Sequence, residues 1–252
     1  MNNLAELYRA QGEYVKALPL NERALAIREK ALGKDHPDVA ISLNSLAWLY
    51  KTQGAYAKAL PMYVRALAID EKAFGKDHPS VAISLNNLAG LYSAQSAYAK
   101  ALPMYVRALA IKEKALGKEH PDVAISLNNL AWLYKTQGAY AKALPMYVRA
   151  LAIWEKALGK DHPNVASGLN NLALLYQAQG EYEKALPIHV RALAIYERAL
   201  GKDHPNVGIS LNNYADCLEA LGKSKEAAAA RARAKKIQDR IDRKSGKLKP
   251  PA

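Results

Sequence analysis

A His-Pro pair returns along the chain at a constant spacing of 42 residues, and this period constrains the fold more than any other feature. No insertion interrupts the spacing between one pair and the next. A fixed period between about 20 and 50 residues is typical of solenoids and propellers, in which each repeat is a small unit that buries its apolar face against its neighbour. The pairs begin at His36, His78, His120, His162 and His204.

Between successive His-Pro pairs the sequence carries two apolar patterns, and both have the spacing of an α-helix. The first, which we name helix A, spans about residues 37–53, and its apolar residues recur at steps of three and four. Pro37 suits the first helical position, where its missing N–H costs nothing. The second, helix B, spans residues 56–74 and is predicted to end at a left-handed Gly75. Pro61 lies inside helix B, where we expect a mild kink rather than a break.

Each repeat is therefore predicted to be a helical hairpin. Small residues such as Ala47, Ala59 and Ala66 let the two helices approach closely, while leucine and tyrosine fill the seam between them. One hairpin cannot cover its own apolar faces, but a stack of hairpins buries a continuous core. The predicted fold class is all-α, an α-solenoid of antiparallel helix pairs.

The repeat resembles the tetratricopeptide repeat, in the 42-residue variety found in kinesin light chains. The resemblance covers about residues 1–222, in which the motif LGKDHPxVAxxLNxLAxLY recurs with small changes. It implies a right-handed superhelix that acts as a protein-interaction scaffold and holds an extended peptide on a concave surface of A helices. The core positions that carry the resemblance are Leu46, Ala47, Tyr50, Gly54, Tyr56, Ala59, Tyr63 and Ala66.

The two ends depart from the repeat. Met1 aligns with Leu43, so the first repeat is predicted to begin inside a helix A. Residues 223–243 are predicted to form a basic helix that closes the end of the array, and residues 244–252 are expected to be disordered. The last 30 residues hold 11 Lys or Arg against 3 acidic residues, so they contribute +8 of the net charge of +13 and the rest of the chain contributes +5.

Comparison of the repeats with one another locates the candidate binding residues. Most seam positions hardly vary, whereas the helix A positions of Trp48 and Lys51 vary strongly and share one face. One turn earlier this face carries an asparagine in every copy, followed in most copies by a second. Such a ladder offers the donors and acceptors that a peptide backbone needs; alternatively, one asparagine of each pair bonds the neighbouring helix and sets the stacking. The candidates are Asn44, Asn86, Asn87, Asn128, Asn129, Asn170 and Asn171.

Two tryptophans and two lysines complete the candidate site. Trp48 and Trp132 lie two repeats apart, with Gly90 leaving a gap between them, and we expect them to anchor ligand side chains. The alternative is that they pack on the adjacent helix. Lys51 and Lys135 lie one turn away and favour a ligand with carboxylates. The predicted partner is therefore a protein or peptide with acidic residues.

No pattern in the sequence indicates catalysis, because no phosphate loop, nucleophile motif or carboxylate pair occurs once as a catalytic centre would. The His-Pro histidines lie about one repeat apart, on the order of 20 Å, whereas the ligands of one zinc ion lie about 2 Å from it. We predict no enzyme activity, no metal, no cofactor and no small-molecule substrate. The loop histidines are expected to contact the last carbonyls of helix B, and His189, which replaces a core tyrosine, is expected to be buried.

The sequence leaves two other functions open. The C-terminal helix would contact the phosphates of a nucleic acid or another anionic surface, although its few apolar residues argue against membrane insertion. Nearly identical repeats would also allow self-assembly by end-to-end stacking. A cytoplasmic location is expected, because the start of the chain lacks a signal peptide pattern. The basic residues in question are Arg231, Arg233, Lys235, Lys236, Arg240, Arg243 and Lys244.

Overall fold

The computed structural model describes residues 4–5, 7–8 and 13–244, with Lys244 by its backbone alone. Over this part of the chain every regular element is an α-helix, which confirms the predicted fold class. None of the described helices combines the length and the hydropathy that a membrane span requires. The helices are α1 (Tyr14–Leu32), α2 (Pro37–Thr52), α3 (Tyr56–Phe74), α4 (Pro79–Ala94), α5 (Tyr98–Leu116), α6 (Pro121–Thr136), α7 (Tyr140–Leu158), α8 (Pro163–Ala178), α9 (Tyr182–Leu200), α10 (Pro205–Ala220) and α11 (Ser224–Lys244).

The chain forms two compact units, Met1–Lys118 and Glu119–Ala252, which are built in the same way. Within each unit every helix packs against the next one along the chain. A helices of neighbouring repeats also touch: α2 contacts α4 in the first unit, and α8 contacts both α6 and α10 in the second. Each unit is therefore a stack of helical hairpins, which is the arrangement of an α-solenoid.

The seam of each hairpin is built from alanine, leucine and tyrosine, as predicted. In the first unit Ala47 and Ala59 are fully buried, and Tyr63 lies in the same cluster. Ala131, Ala143 and Tyr147 form the equivalent cluster in the second unit. Because alanine ends at Cβ, the helix backbones come close at these positions and the tyrosine rings fill the space beside them.

Each helix A from α2 to α10 begins at the proline of a His-Pro pair, and the histidine caps it. Nδ1 of His36 accepts a hydrogen bond from the backbone N–H of Asp38 at 3.2 Å. The same bond occurs at the other four helices at 3.1 to 3.2 Å. The prediction that these histidines contact the last carbonyls of helix B is wrong: the unprotonated ring nitrogen is an acceptor, so it satisfies a free N–H at the start of helix A.

Helix A ends in a tight turn through a residue with positive φ. α2 stops at Thr52, one residue before the predicted end, and Gly54 has φ of 75°. The N–H of Ala55 then donates to the carbonyl of Tyr50 at 2.8 Å, which satisfies an acceptor that the helix leaves free. At the end of α4 the same position is Ser96, with φ of 57°, in a region that costs a residue with a Cβ atom about 1 to 2 kcal/mol.

Helix B runs between the predicted limits and continues through its proline. α3 spans Tyr56–Phe74 with Pro61 inside it. Pro61 and Ala57, whose carbonyl loses its partner, are both exposed, so water can satisfy that carbonyl. Gly75 ends the helix with φ of 82° and ψ of 162°, which is not the predicted left-handed helical conformation but an extended one that glycine alone adopts readily.

The last helix, α11, covers the end of the second unit. It begins and ends one residue after the predicted limits, and its alanine face is buried. Ile237 is buried there, and its Cγ2 lies 3.5 Å from the position that a Cβ on Gly208 of α10 would occupy. The predicted disordered tail, residues 244–252, lies outside the described residues apart from the backbone of Lys244, and most of the truncated helix A of the first repeat lies outside them as well.

Candidate functional site

One side of each helix A carries the candidate residues, and we name it the A-face. In α2 it is defined by Ile41, Ser45 and Trp48, which lie one turn apart, and it comprises the equivalent positions of the other A helices. Ile41 is 58 % exposed, and the equivalent isoleucines of α4, α6 and α10 are exposed too. Sequence reasoning missed these isoleucines, although the sequence carries isoleucine at this position in four of the five described A helices. The others are Ile83, Ile125 and Ile209.

The first asparagine of three pairs, Asn44, Asn128 and Asn170, bonds the next repeat. In the first unit Nδ2 of Asn44 donates to Oγ of Ser84 at 2.9 Å, and Oδ1 of Asn44 accepts from Nδ2 of Asn87 at 3.2 Å. In the second unit Oδ1 of Asn128 accepts from Nδ2 of Asn171 at 2.9 Å. The amide ladder therefore exists, but it runs from repeat to repeat and takes part in the stacking.

Two of the four candidate asparagines in the first column are buried, whereas Asn44 and Asn128 are half-buried, like the second column. In the first column Asn86 and Asn170 are buried, and Oδ1 of Asn170 also accepts from Oγ of Ser210 at 3.2 Å. A side chain that is both buried and hydrogen-bonded offers little to a ligand, so the first column is better explained by stacking. In the second column the side chains are half-buried and keep part of their surface on the A-face: Asn87, Asn129 and Asn171.

In the first unit the candidate tryptophan and lysine both lie against neighbouring helices. The ring of Trp48 meets Tyr14 of α1 edge-on, with 5.6 Å between centroids. Nζ of Lys51 lies only 3.1 Å from the position that a Cβ on Gly90 would occupy. Gly90 is thus not a gap, because its missing side chain makes room for the Lys51 ammonium. Burial lowers the pKa of Lys51, and no described carboxylate pairs with it.

In the second unit the equivalent pair is more accessible. Trp132 is 37 % exposed, and Nζ of Lys135 lies 4.0 Å from the centroid of its ring, a cation–π contact. Burial lowers the pKa of Lys135. Among the residues that the structure describes, no carboxylate lies within ion-pair distance of this ammonium, so Lys135 can still pair with a carboxylate from a partner.

An open pocket of about 380 Å³ lies on the A-face of the second unit. Trp132 of α6, Leu174 of α8 and Ile209 of α10 supply its apolar lining, together with Tyr196 at the end of α9. Three predicted site residues, Trp132, Asn170 and Asn171, meet here, whereas the other lining residues were missed. The polar lining consists of Ser167, Asn170, Asn171, Asn206 and Asn213.

His189 links helix B to helix A beside this pocket. It takes the place of a seam tyrosine and is fully buried, as predicted. Its Nε2 lies 2.8 Å from Oε1 of Gln177, and its Nδ1 lies 3.3 Å from Oδ1 of Asn170. Burial lowers the pKa of His189 to about 4, so the ring is neutral at neutral pH. Its role is to hold α9 against α8.

Much of the positive charge of the basic C-terminal helix is paired with carboxylates of the same chain. Arg231 pairs with Asp216 at 2.9 Å, Arg233 pairs with Glu197, and Arg240 pairs with Asp203. Lys235 pairs with Asp239 of the same helix at 3.2 Å. Four of the seven basic residues that suggested binding to an anionic surface therefore already face a carboxylate, which lowers the positive charge that α11 offers to such a surface.

Comparisons with known proteins agree with this architecture. The family model for the tetratricopeptide repeat matches residues 1–72, 53–114, 80–156, 136–189 and 164–239. The solved structure of nearly identical TPR-like repeats from Podosopora anserina, assigned to a kinesin light chain, is 29% identical with a TM-score of 0.63, over 82% of this chain and 99% of that chain. BtubC (BKLC) from P. vanneervenii is 25% identical with a TM-score of 0.69, over 98% and 95%.

A more distant structure shows the same fold. A Rap protein complexed with Competence and Sporulation Factor is 18% identical to this chain, with a TM-score of 0.67 over 95% of this chain and 74% of that chain. At this identity the likeness concerns the fold alone.

Proposed function

Because the chain belongs to the tetratricopeptide repeat family, whose repeats build protein-interaction scaffolds, we propose that the A-face binds an extended segment of a partner protein or peptide. The observation that carries the proposal is the make-up of the A-face. Within each unit this face carries exposed isoleucines, half-buried asparagines, a tryptophan and a lysine without a carboxylate partner among the described residues. An extended segment presents apolar side chains and unpaired backbone amides at short intervals, and this face complements both.

The two lysines favour a partner with acidic residues. Lys51 and Lys135 are half-buried, and neither has a carboxylate partner among the described residues. A carboxylate that reached either ammonium would recover interaction energy that burial has removed, because hydrogen bonds between charged groups are strong in partly desolvated surroundings. Binding of such a segment would also raise the pKa of the lysine that it contacts.

The proposed contact residues differ from the full predicted set. Asn44, Asn86, Asn128 and Asn170 serve the stacking or are buried, so we propose that Asn87 in the first unit, and Asn129 and Asn171 in the second, are the asparagines that contact a bound segment. Trp132 and Lys135 join Asn129 and Asn171 in the second unit, and Lys51 and the half-buried Trp48 join Asn87 in the first. The proposed function needs no cofactor and no chemistry, and we propose a cytoplasmic location for it.

Selection from a random 12-residue peptide library displayed on phage, with the full chain immobilised, tests this function. Selected peptides are then synthesised with a fluorophore, and their Kd is measured by fluorescence anisotropy. Trp132→Ala should weaken binding by about tenfold or more, because an exposed aromatic ring is a typical anchor. Its thermal unfolding midpoint should change little, since the ring is not part of the seam.

Val148→Ala is the matched control, because Val148 is an exposed apolar residue of helix B, 49 % exposed, in the same unit. Peptides should bind this variant as they bind the wild type. If no peptide is enriched over an uncoated surface, or if Trp132→Ala binds normally while Val148→Ala does not, the A-face is not the binding surface.

A further inference from the structure

One A helix has lost side-chain volume at two adjacent positions. On the A-face α8 carries Ser167 where the other four described A helices carry isoleucine. At the next position α8 carries Gly168 where the other four carry serine. The isoleucines are Ile41, Ile83, Ile125 and Ile209, and the serines are Ser42, Ser84, Ser126 and Ser210.

The space beside Gly168 is filled from the interior, whereas the space at Ser167 stays open. A Cβ on Gly168 would lie 3.0 Å from Cζ3 of Trp154, whose ring is 3 % exposed and whose Nε1 donates to the carbonyl of Pro121 at 3.2 Å. Ser167 is half-buried and hydrogen-bonds to the side chain of Tyr196, and both residues line the pocket described above. The replacement of isoleucine by serine is therefore what opens the A-face at α8.

We propose that this pocket is a subsite for one bulky uncharged side chain, aliphatic or aromatic, of the segment that the A-face binds. The inference rests on the proposed function and names the residue class that the site selects. The side chains of Trp132, Leu174 and Ile209 line the pocket, and no lining residue is charged. A lysine or arginine placed there would lose its hydration without gaining an ion pair, and an aspartate or glutamate would meet no cation among the lining residues.

The polar lining fits the backbone on either side of that side chain. Asn171 on α8 and Asn213 on α10 lie one repeat apart on the same A-face, and both border the pocket. The Asn213 amide makes no hydrogen bond to any described residue, so its donors and its acceptor are free for a peptide group. An apolar cavity bordered by amides takes the side chain of a peptide together with its flanking backbone, whereas a free hydrocarbon would leave the amides unused.

Ser167→Ile tests the subsite, because it restores the residue that the other repeats carry and so suits the fold. Each selected peptide is scanned with alanine, and Kd is measured against the full chain. In the wild type one bulky apolar position should cost about tenfold or more when it becomes alanine. In Ser167→Ile the same change should cost less than about twofold, because the closed pocket no longer holds that side chain.

Ser45→Ile is the control, since it makes the same chemical change on the A-face of α2 in the first unit. The cost of the alanine change should remain as in the wild type. If peptides bind but the alanine change costs the same in the wild type and in Ser167→Ile, the subsite is wrong and the A-face proposal stands. If no peptide binds the wild type, the failure lies with the proposed function.

A second measurement needs no selected peptide. N-acetyl-leucinamide and N-acetyl-alaninamide are titrated to millimolar concentration, and the indole N–H resonance of Trp132 is followed by NMR after assignment with Trp132→Phe. The leucine amide should shift this resonance more than the alanine amide in the wild type, and the difference should vanish in Ser167→Ile. Equal shifts for the two amides in the wild type would overturn the subsite.

Discussion

α2 and α8 occupy the same place in their repeats, and their seams are almost the same. Ala47 and Ala173 are both fully buried, as are Leu49 and Leu175. Their exposed sides differ. α2 presents an isoleucine and a tryptophan at positions where α8 presents Ser167 and a leucine, so the surface of α8 is lower and the pocket forms beside it.

This contrast shows that the seam and the A-face respond to different constraints. A seam residue must fill a space set by two helices, so alanine recurs at every copy of the Ala47 position, and leucine recurs at the Leu49 position in every copy but α10, which has Cys217. An A-face residue meets solvent or a partner, so its size can change without loss of the fold. On the buried side of α8, Gly168 is smaller than the serine of the other A helices, and the large Trp154 ring of α7 fills the space. A close-packed interior accepts only such compensated exchanges.

The largest expected effect concerns the histidine behind α8. The pKa of His189 is lowered to about 4 from its ordinary 6.5. The stabilisation from burying the neutral ring is fully present above pH 6.5 and is lost as the pH falls from 6.5 through about 4. At pH 4 the loss amounts to about 3 kcal/mol. The measurement is urea unfolding of the wild type and His189→Tyr at pH 7 and pH 4.

His189→Tyr gives α9 the residue that α3 carries against α2, Tyr63, which cannot take up a proton in this range. The two proteins share every other residue, so the comparison isolates the effect of residue 189. The wild type should lose about 3 kcal/mol more than the variant. Equal losses would mean that His189 is protonated without cost and that this part of α8 is not closed to water.

Gly168→Val should destabilise the protein, because the added side chain would overlap the ring of Trp154. The valine side chain would press on a ring already 3.0 Å from the first added carbon, so the free energy of unfolding should fall by about 1 to 3 kcal/mol. Gly208→Ala is the control in α10, where the nearest atom lies at an ordinary 3.5 Å. That variant should be stabilised by up to about 1 kcal/mol, because alanine favours a helix over glycine. Both are measured by urea denaturation.

Asn44→Ala tests whether the asparagine of α2 serves the stack. The change leaves Oγ of Ser84 and Nδ2 of Asn87 without the partner that they have in the wild type. We expect a loss of about 1 to 2 kcal/mol in the free energy of unfolding. Ser45→Ala, at the next position of the same helix, should change stability by less than about 0.5 kcal/mol. If Asn44→Ala unfolds at the same urea concentration as the wild type, Asn44 does not stabilise the stack and is again a candidate for ligand binding.

The smallest effect should come from the turn after helix A. α2 and α8 are followed by Gly54 and Gly180, with φ of 75° and 78°, whereas α4 is followed by Ser96 in the same region. Ser96→Gly should raise the free energy of unfolding by about 1 kcal/mol, because it relieves a positive φ that glycine adopts freely. The midpoint of urea unfolding measures the gain, and an unchanged or lower midpoint would show that the serine is not strained.

Periodicity alone was enough to predict the hairpins and most of the core. The limits of α3 were predicted to the residue, since tyrosine and glycine bracket each helix B. The role of Asn44 was not predictable, because its partners lie 40 and 43 residues away and only the stacking geometry brings them together. The exchange at Ser167 was visible in the sequence, but its meaning depends on Trp132 and Ile209, which belong to other repeats.

The contact between Trp154 and Gly168 has a consequence for transplanting pieces of this chain. The two residues lie on α7 and α8, which belong to successive 42-residue blocks when the chain is cut at the His-Pro pairs. A graft cut there would deliver the ring without the glycine that accommodates it. A graft that begins at Tyr140 and ends at Ala178 would carry both, so the transferable piece is a helix B with the helix A that follows it.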